Sequence, residues 1–198
     1  MTMRERIASG KLFTDMVEGL PEDRLRGKEL MYDFNHTRPT ETQKRIDLMK
    51  SMFGAIGKDC WIEPPLNICY GSNVFIGDYL YANMNLTLVD DYKITIGNSV
   101  LIAPNVTIAV TGHPVHPELR SMGEMYAFPV TIGDHVWIGS NVVICPGVTI
   151  GDNAVIGAGS IVTKDIPANS IAVGNPCKVI REINDEDKVY YYKKLKAE

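Results

Sequence analysis

Ile132-Gly-Asp-His-Val136, Ile138-Gly-Ser-Asn-Val142, Ile144-Cys-Pro-Gly-Val148, Ile150-Gly-Asp-Asn-Ala154, Ile156-Gly-Ala-Gly-Ser160 and Val162-Thr-Lys-Asp-Ile166 are six successive hexads in one register. A unit this short cannot bury its apolar side alone, so copies must stack on a shared core. Each hexad spans roughly 20 Å at ~3.3 Å per residue, so three of them close a triangular coil of about 18 residues, stacked ~4.8 Å from the next. The first residue of each hexad is a branched aliphatic that fills the interior. The fifth is Val, Ala, Ser or Ile, small enough for an inward site shared with neighbours. The second is mostly Gly, which suits a tight corner. These features predict a mainly β chain built as a parallel β-solenoid.

The pattern extends backwards through Ile96-Gly-Asn-Ser-Val100 and Ile102-Ala-Pro-Asn-Val106 to Ile108, through Ile76-Gly-Asp-Tyr-Leu80 and Ala82-Asn-Met-Asn-Leu86, and to Ile62, Leu66 and Ile68. Small corner insertions separate these registers, Asp90-Asp91-Tyr92 being the clearest. Ile108 and Ile132 stand 24 positions apart where six would continue the coil, so eighteen residues leave the scaffold as a loop, taken as 109–131. Long loops on a regular scaffold are usually functional. This one holds Thr111-Gly-His113-Pro-Val-His116-Pro-Glu118 and then Glu124 and Met125. Gly112 and Pro114 flank His113 and restrict its backbone.

Residues 1–57 read as a helical segment. One helix runs from Pro21 to about Asn35-His36, and another opens at Pro39 and ends before Gly54 and Gly57. Residues 58–183 form the solenoid with its loop, and Asn184-Asp-Glu-Asp starts a short C-terminal helix over 184–198. The 198 residues are 45% hydrophobic with a net charge of -4, and no basic patch points to nucleic acid. The charged start Met1-Thr-Met-Arg-Glu-Arg and the lack of a long apolar run predict neither a signal peptide nor a membrane span, hence a cytoplasmic protein. Cys60, Cys69, Cys145 and Cys177 show no Cys-x-x-Cys spacing and are read as reduced thiols.

Tyr70-Gly-Ser-Asn73, Tyr81-Ala-Asn83, Val89-Asp-Asp-Tyr92, Leu101-Ile-Ala-Pro-Asn-Val106, Thr111-Gly-His-Pro-Val-His116, Gly123-Glu-Met-Tyr126 and Val136-Trp-Ile-Gly-Ser140 resemble the galactoside/maltose O-acetyltransferase family of hexapeptide-repeat acyltransferases. The likeness covers nearly the whole chain, including Gly10-Lys-Leu-Phe-Thr-Asp15. The Gly-His-Pro-Val-His and Gly-Glu-Met-Tyr stretches stand closer to its galactoside branch. The resemblance implies a left-handed β-helix and a homotrimer with sites between subunits. It also implies transfer of acetyl from acetyl-CoA to the 6-hydroxyl of a galactoside or related sugar, with no metal.

Such a transfer needs a base, an oxyanion donor and grips on both substrates. His113 is the candidate base, its second nitrogen oriented by Glu124 or a backbone carbonyl. The resemblance puts the Asn83 amide in the site, as donor to the oxyanion or to the acceptor. Asp15 and Asp91 match acceptor-binding positions, with Cys69 where the family has serine. Tyr81, Leu101 and Met125 are apolar walls. On the cofactor side, Trp137 offers a flat face to the pantetheine arm, and the resemblance places Ser140, Ala158, Thr163 and Lys164 along the same groove. Lys178, where the family often has arginine, and Arg181 are candidate phosphate grips.

The expected route is direct attack in a ternary complex, with a covalent acetyl-Cys69 as competitor. Three other readings stay open. The acceptor is instead maltose, glucose or another oligosaccharide; or His113, His116 and His135 form a zinc site of a hydratase; or the solenoid is a non-catalytic assembly module.

Overall fold

The computed structural model describes residues 1–197, so Glu198, the last residue of the expected C-terminal helix, lies outside them. Three parallel sheets form the faces of a solenoid of about six turns. The first face holds Ala55–Ile56, Val74–Ile76, Ile94–Ile96, Val130–Ile132 and Thr149–Ile150. The second holds Trp61–Ile62, Tyr81–Ala82, Leu101–Ile102, Trp137–Ile138, Val155–Ile156 and Ser170–Val173. The third holds Leu66–Ile68, Leu86–Val89, Thr107–Ala109, Val143–Ile144 and Ile161–Val162. The chain visits the faces in that order on every turn. The first coil strand begins at Ala55, ahead of the boundary expected at 58.

Hexad positions one and five point inward as expected. Ile132, Ile138, Ile144, Ile150, Ile156, Val136, Val142, Val148, Ala154 and Ser160 are all buried. Ser160, the polar member, donates to the Gly157 carbonyl at 2.5 Å and accepts from the Gly174 N–H at 3.0 Å, which removes the cost of burying its hydroxyl.

The third hexad position builds a ladder at the corner between faces one and two. Asp78 accepts the Lys58 N–H, Asn98 that of Asp78, Asp134 that of Asn98, and Asp152 that of Asp134, at 2.7–3.0 Å. The glycine before each rung lets the next coil approach. A Cβ on Gly133 would stand 2.2 Å from Asp152 Oδ1 and 2.8 Å from its nitrogen.

Rungs are 18 residues apart at the C-terminal end, as Trp137 over Val155, and 20 apart at the N-terminal end, as Tyr81 over Leu101. The two additional residues sit at the corner between faces three and one. Between the matched inward positions Ile68 and Val74, and Leu88 and Ile94, the chain spends five residues each, 69–73 and 89–93, where Ile144 to Val148 takes three, 145–147. This widened corner is where several of the candidate site residues gather.

The N-terminal segment covers that corner. Helix α1 is Met3–Ala8, opened by a Thr2/Glu5 capping box; α2 is Leu20–Asn35 and α3 is Thr42–Met52, starting three residues after Pro39. Asn35 clamps the Leu66 backbone through both amide atoms at 2.8 Å. Gly27 lets α2 lie directly on Tyr70, whose carbonyl oxygen would be 2.2 Å from an added Cβ.

Two expectations are corrected. The excursion is shorter at both ends, because Ala109 still pairs on face three and Val130 already pairs on face one. It also has structure of its own: Thr111–Gly112 pairs antiparallel with Tyr126–Ala127, and α4, Pro117–Ser121, lies between them. The C-terminal helix α5 is only Glu186–Val189. Tyr190–Tyr192 then forms a hairpin with Leu195–Lys196, because aromatic residues favour extended backbone. Lys178–Glu182 is likewise a strand, antiparallel to Ser170–Val173. Among the described residues, no helix is long and apolar enough to cross a membrane.

Candidate active site

The excursion starts beside the widened corner, and the N-terminal arm is tied to it. Phe13 and Met125 exchange backbone hydrogen bonds at 2.9 and 2.8 Å. Ile7, Phe13, Leu20, Tyr70, Met125 and Ala127 bury a second apolar cluster between arm, corner and loop. Burial of this kind stabilises by about 25 cal/mol per Å² of apolar surface, so the cluster fixes the arm without a covalent link. It brings Asp15 to the same corner as Cys69, Asp91, Met125 and His113.

His113 is exposed, and its Nδ1 lies 3.0 Å from the backbone carbonyl oxygen of Glu124. A carbonyl only accepts, so this bond puts the hydrogen on Nδ1 and leaves Nε2 of the neutral ring as a proton acceptor. The orienting group is therefore the Glu124 main chain, one of the two options left open by the sequence. The Glu124 carboxylate oxygen Oε2 is itself buried without a partner among the described residues.

Three charged groups face one another beside it. Asp15 forms an ion pair with Arg24 of α2, a residue that no sequence motif marks. Arg24 also lies over the Tyr70 ring, 5.9 Å from its centre. Asp91 accepts the Thr111 hydroxyl at 2.6 Å. Burial pushes the Asp91 carboxyl up, against the Thr111 bond that holds it down, and Asp15 adds to the rise. The Cys69 thiol is pushed up to about 11, first by burial and then by Asp91 and Asp90, so it stays protonated at neutral pH and is a poor nucleophile.

A second set of residues forms at a different edge. Tyr81, Leu101 and Trp137 stack outward in register on face two, each 40–53% exposed. Asn83, Ser140 and Ala158 sit at the corner where face two turns into face three. The Asn83 side-chain oxygen accepts the Met84 N–H at 2.8 Å, which leaves its amide hydrogens as the group available outward. Gly159, with φ +73 and nothing within 4 Å of an added Cβ, leaves open space beside Ala158.

Face three separates the two sets, by roughly 15–20 Å at ~3.3 Å per residue. Thr163 and Lys164 follow face three and share an edge with His113, away from Trp137. Lys178 and Arg181 stand on the strand appended to face two. Both are exposed, and Arg181 is held in a fork by Asp187 at 2.7 Å to each oxygen. The candidate residues thus fall into two sets, two candidate half-sites, on two edges of the chain.

The histidine triad drawn for a zinc hydratase does not assemble. His135 occupies the left-handed position (φ 56) at the corner between faces one and two, while His116 caps α4 on the loop. No group of three or more His, Cys, Asp or Glu side chains placed to hold a metal occurs among the described residues.

Residues 6–57 match the maltose acetyltransferase hexapeptide capping motif, and residues 129–164 match the bacterial transferase hexapeptide family of six repeats. The chain is 68% identical over 198 residues to galactoside O-acetyltransferase of Escherichia coli (strain K12), covering all of this chain and 98% of that one. It superposes on a galactoside acetyltransferase in complex with coenzyme A with a TM-score of 0.98 at 68% identity, over 100% of this chain and 99% of that one. A maltose O-acetyltransferase from Clostridium difficile 630 matches at 46% identity with a TM-score of 0.91, over 93% and 99% of the two chains. The solenoid is accordingly the left-handed β-helix.

Proposed function

This chain belongs to the galactoside/maltose O-acetyltransferase family of hexapeptide-repeat enzymes, an acetyl-CoA-dependent sugar acetyltransferase, and we propose that it acetylates the 6-hydroxyl of a galactoside by direct transfer. The sugar lies against Asp15, Cys69, Asp91 and Met125, where two carboxylates accept hydroxyl hydrogens in charge-assisted bonds. His113 Nε2 removes the proton from the attacking hydroxyl. The hydroxyl oxygen bonds to the thioester carbon, and the resulting oxyanion receives a hydrogen bond from Asn83. Collapse breaks the C–S bond, and the proton held by His113 passes to the departing CoA thiolate.

The observation that carries this reading is the His113 Nδ1 bond to the Glu124 carbonyl. It fixes the tautomer a base needs, within a corner that also gathers two acceptor carboxylates. The protonated state of Cys69 speaks for direct transfer over an acetyl-cysteine.

The two-edge layout supports a homotrimer with composite sites. In a cyclic assembly the His113 edge of one copy meets the Asn83 and Trp137 edge of the next. Acetyl-CoA then lies in the seam, along Trp137, Ser140 and Ala158 of one copy and Thr163 and Lys164 of its neighbour, with Tyr81 and Leu101 closing the acceptor's apolar side. Lys178 and Arg181 reach the phosphates, Arg181 after exchanging its Asp187 partner. Four free thiols fit work in the cytoplasm.

The test is release of free CoA thiol across a panel of galactosides, glucosides and maltose, with the acetylated position read from the product by NMR. Transfer to maltose in preference to every galactoside overturns the acceptor. That second reading draws on the capping motif and the maltose O-acetyltransferase likeness.

A further inference from the structure

We infer that Asp90, next to the proposed acceptor ligand Asp91, is a positioning residue: its buried carboxylate sets the backbone of Cys69–Gly71 and thereby the floor on which the sugar lies. The inference rests on the acceptor reading of that corner.

Asp90 is fully buried, which for a carboxylate demands strong partners. It finds them one coil away, in three consecutive backbone N–H groups. Oδ1 accepts from Cys69 at 2.9 Å and from Tyr70 at 3.0 Å, and Oδ2 accepts from Gly71 at 2.6 Å. The clamp closes from the other side as well, where the Asn73 side-chain amide donates to the Asp90 carbonyl at 2.7 Å. Asp90 thus grips the widened corner of the preceding coil at both ends.

The gripped segment has little freedom elsewhere. α2 presses on the Tyr70 carbonyl through Gly27, and Gly71 turns at φ +76 against the Met52 carbonyl. What the segment turns toward the acceptor side is the half-buried Cys69 thiol, while the buried Tyr70 ring lies beneath Arg24, the partner of Asp15. Ordinary solenoid packing does not call for this device. The three-residue corner at Cys145–Gly147 holds its coil without a buried carboxylate, and the clamp appears where the corner is widened to make room for a ligand. A backbone held by charge-assisted bonds keeps its side chains placed before the sugar arrives, so acceptor binding loses less to ordering.

The experiment is steady-state kinetics on the full-length assembled protein, varying methyl β-galactoside and acetyl-CoA separately, for wild type, Asp90→Asn and Asn73→Ala. Asp90→Asn keeps the shape but replaces one acceptor oxygen by a donor facing an N–H. The expected result is an acceptor KM raised about tenfold in Asp90→Asn and about threefold in Asn73→Ala, with the acetyl-CoA KM within about twofold of wild type. A merely structural role would move both constants together, and that result overturns the inference, as does an unchanged acceptor KM. Should Asp90→Asn fail to assemble, Asn73→Ala decides on the same criterion. Wild type that transfers to no galactoside overturns the acceptor reading and this inference with it. Active wild type with unshifted variants overturns the role of Asp90 alone.

Discussion

Thr111 donates its hydroxyl to Asp91 at 2.6 Å, joining the root of the loop that carries His113 to a proposed acceptor carboxylate one coil below. The bond does two things. It fixes where the loop leaves the corner, and it occupies one oxygen of a carboxyl that burial pushes up, holding the charged form in place. Thr111→Val removes the donor at nearly constant shape and leaves Asp91 half-buried with less compensation. We expect kcat/KM for the galactoside to fall about tenfold, with Thr111→Ser close to wild type. Titration of the acceptor at saturating acetyl-CoA checks this, and a fully active valine variant would show that loop and carboxylate are not coupled.

Removing the proposed base should leave the scaffold untouched, since the His113 side chain is exposed and its hydrogen bond is to the Glu124 carbonyl. For His113→Ala we expect kcat lowered by ~10²–10⁴ with an unchanged oligomeric state and retained CoA binding. Stopped-flow mixing of wild type with acetyl-CoA alone tests the route independently. Direct transfer gives no burst of free thiol, whereas one CoA released per site without sugar would establish an acyl-enzyme.

The separation of Asn83 from His113 by face three leads to a mixing experiment. If each site takes the His113 edge from one copy and the Asn83 edge from the next, His113→Ala and Asn83→Ala chains are inactive alone but complement when co-assembled. Random equal mixing in a cyclic trimer makes about a quarter of the sites wild type at both edges. Activity near that fraction is expected after co-refolding. A mixture no more active than its parents would mean that both residues act within one chain.

Gly133 is a purely structural counterpart. Its added Cβ would collide with Asp152, both side chain and backbone, so Gly133→Ala forces neighbouring coils apart at that corner. A loss of about 1–3 kcal/mol is expected by urea unfolding, with kcat/KM unchanged because this corner lies away from both half-sites.

What the sequence disclosed and what it hid follow from the range of the interactions involved. Ile132 to Ile166 announce the solenoid because a six-residue period maps directly onto buried positions. The same period also separates Asn83 from Asp91: they occupy different corners, so their phase in the coil places them on different edges. Asp90 was visible as part of an insertion, but its partners at Cys69–Gly71 lie about twenty residues earlier and are backbone groups, which carry no sequence signature. Arg24 sits on a helix face among other charges and acquires meaning only when α2 meets Asp15. Thr2 and Glu5, by contrast, form a capping box whose spacing is readable in the sequence itself. The Asn184-Asp-Glu-Asp signal points to a helix running through Tyr190–Tyr192, yet the tyrosines' preference for extended backbone ends it after four residues.

Asp90 also gives the fold a pH signature whose sign can be worked out. Burial pushes its carboxyl from 3.8 up to about 6, opposed by the N–H groups of Tyr70, Cys69 and Gly71 and assisted by the charge of Asp91. Asp15 and Arg24 lie beyond Tyr70, and Lys28 of α2 faces Cys69. A folded-state value above the unfolded one means that ionisation costs more in the fold than in the open chain. The contribution of this group is therefore fully present below about pH 4 and is lost as pH rises through about 6. At pH 7 the carboxylate is charged and the clamp is set, so the acceptor floor is held at the expense of some stability. The stability of wild type relative to Asp90→Asn should fall by on the order of 3 kcal/mol between pH 4 and pH 7, at an ionic strength where the assembly persists. Urea unfolding at several pH values measures it. A difference that stays flat across this window would mean that Asp90 does not titrate there, while a difference that grows with pH would mean that the three N–H bonds outweigh burial.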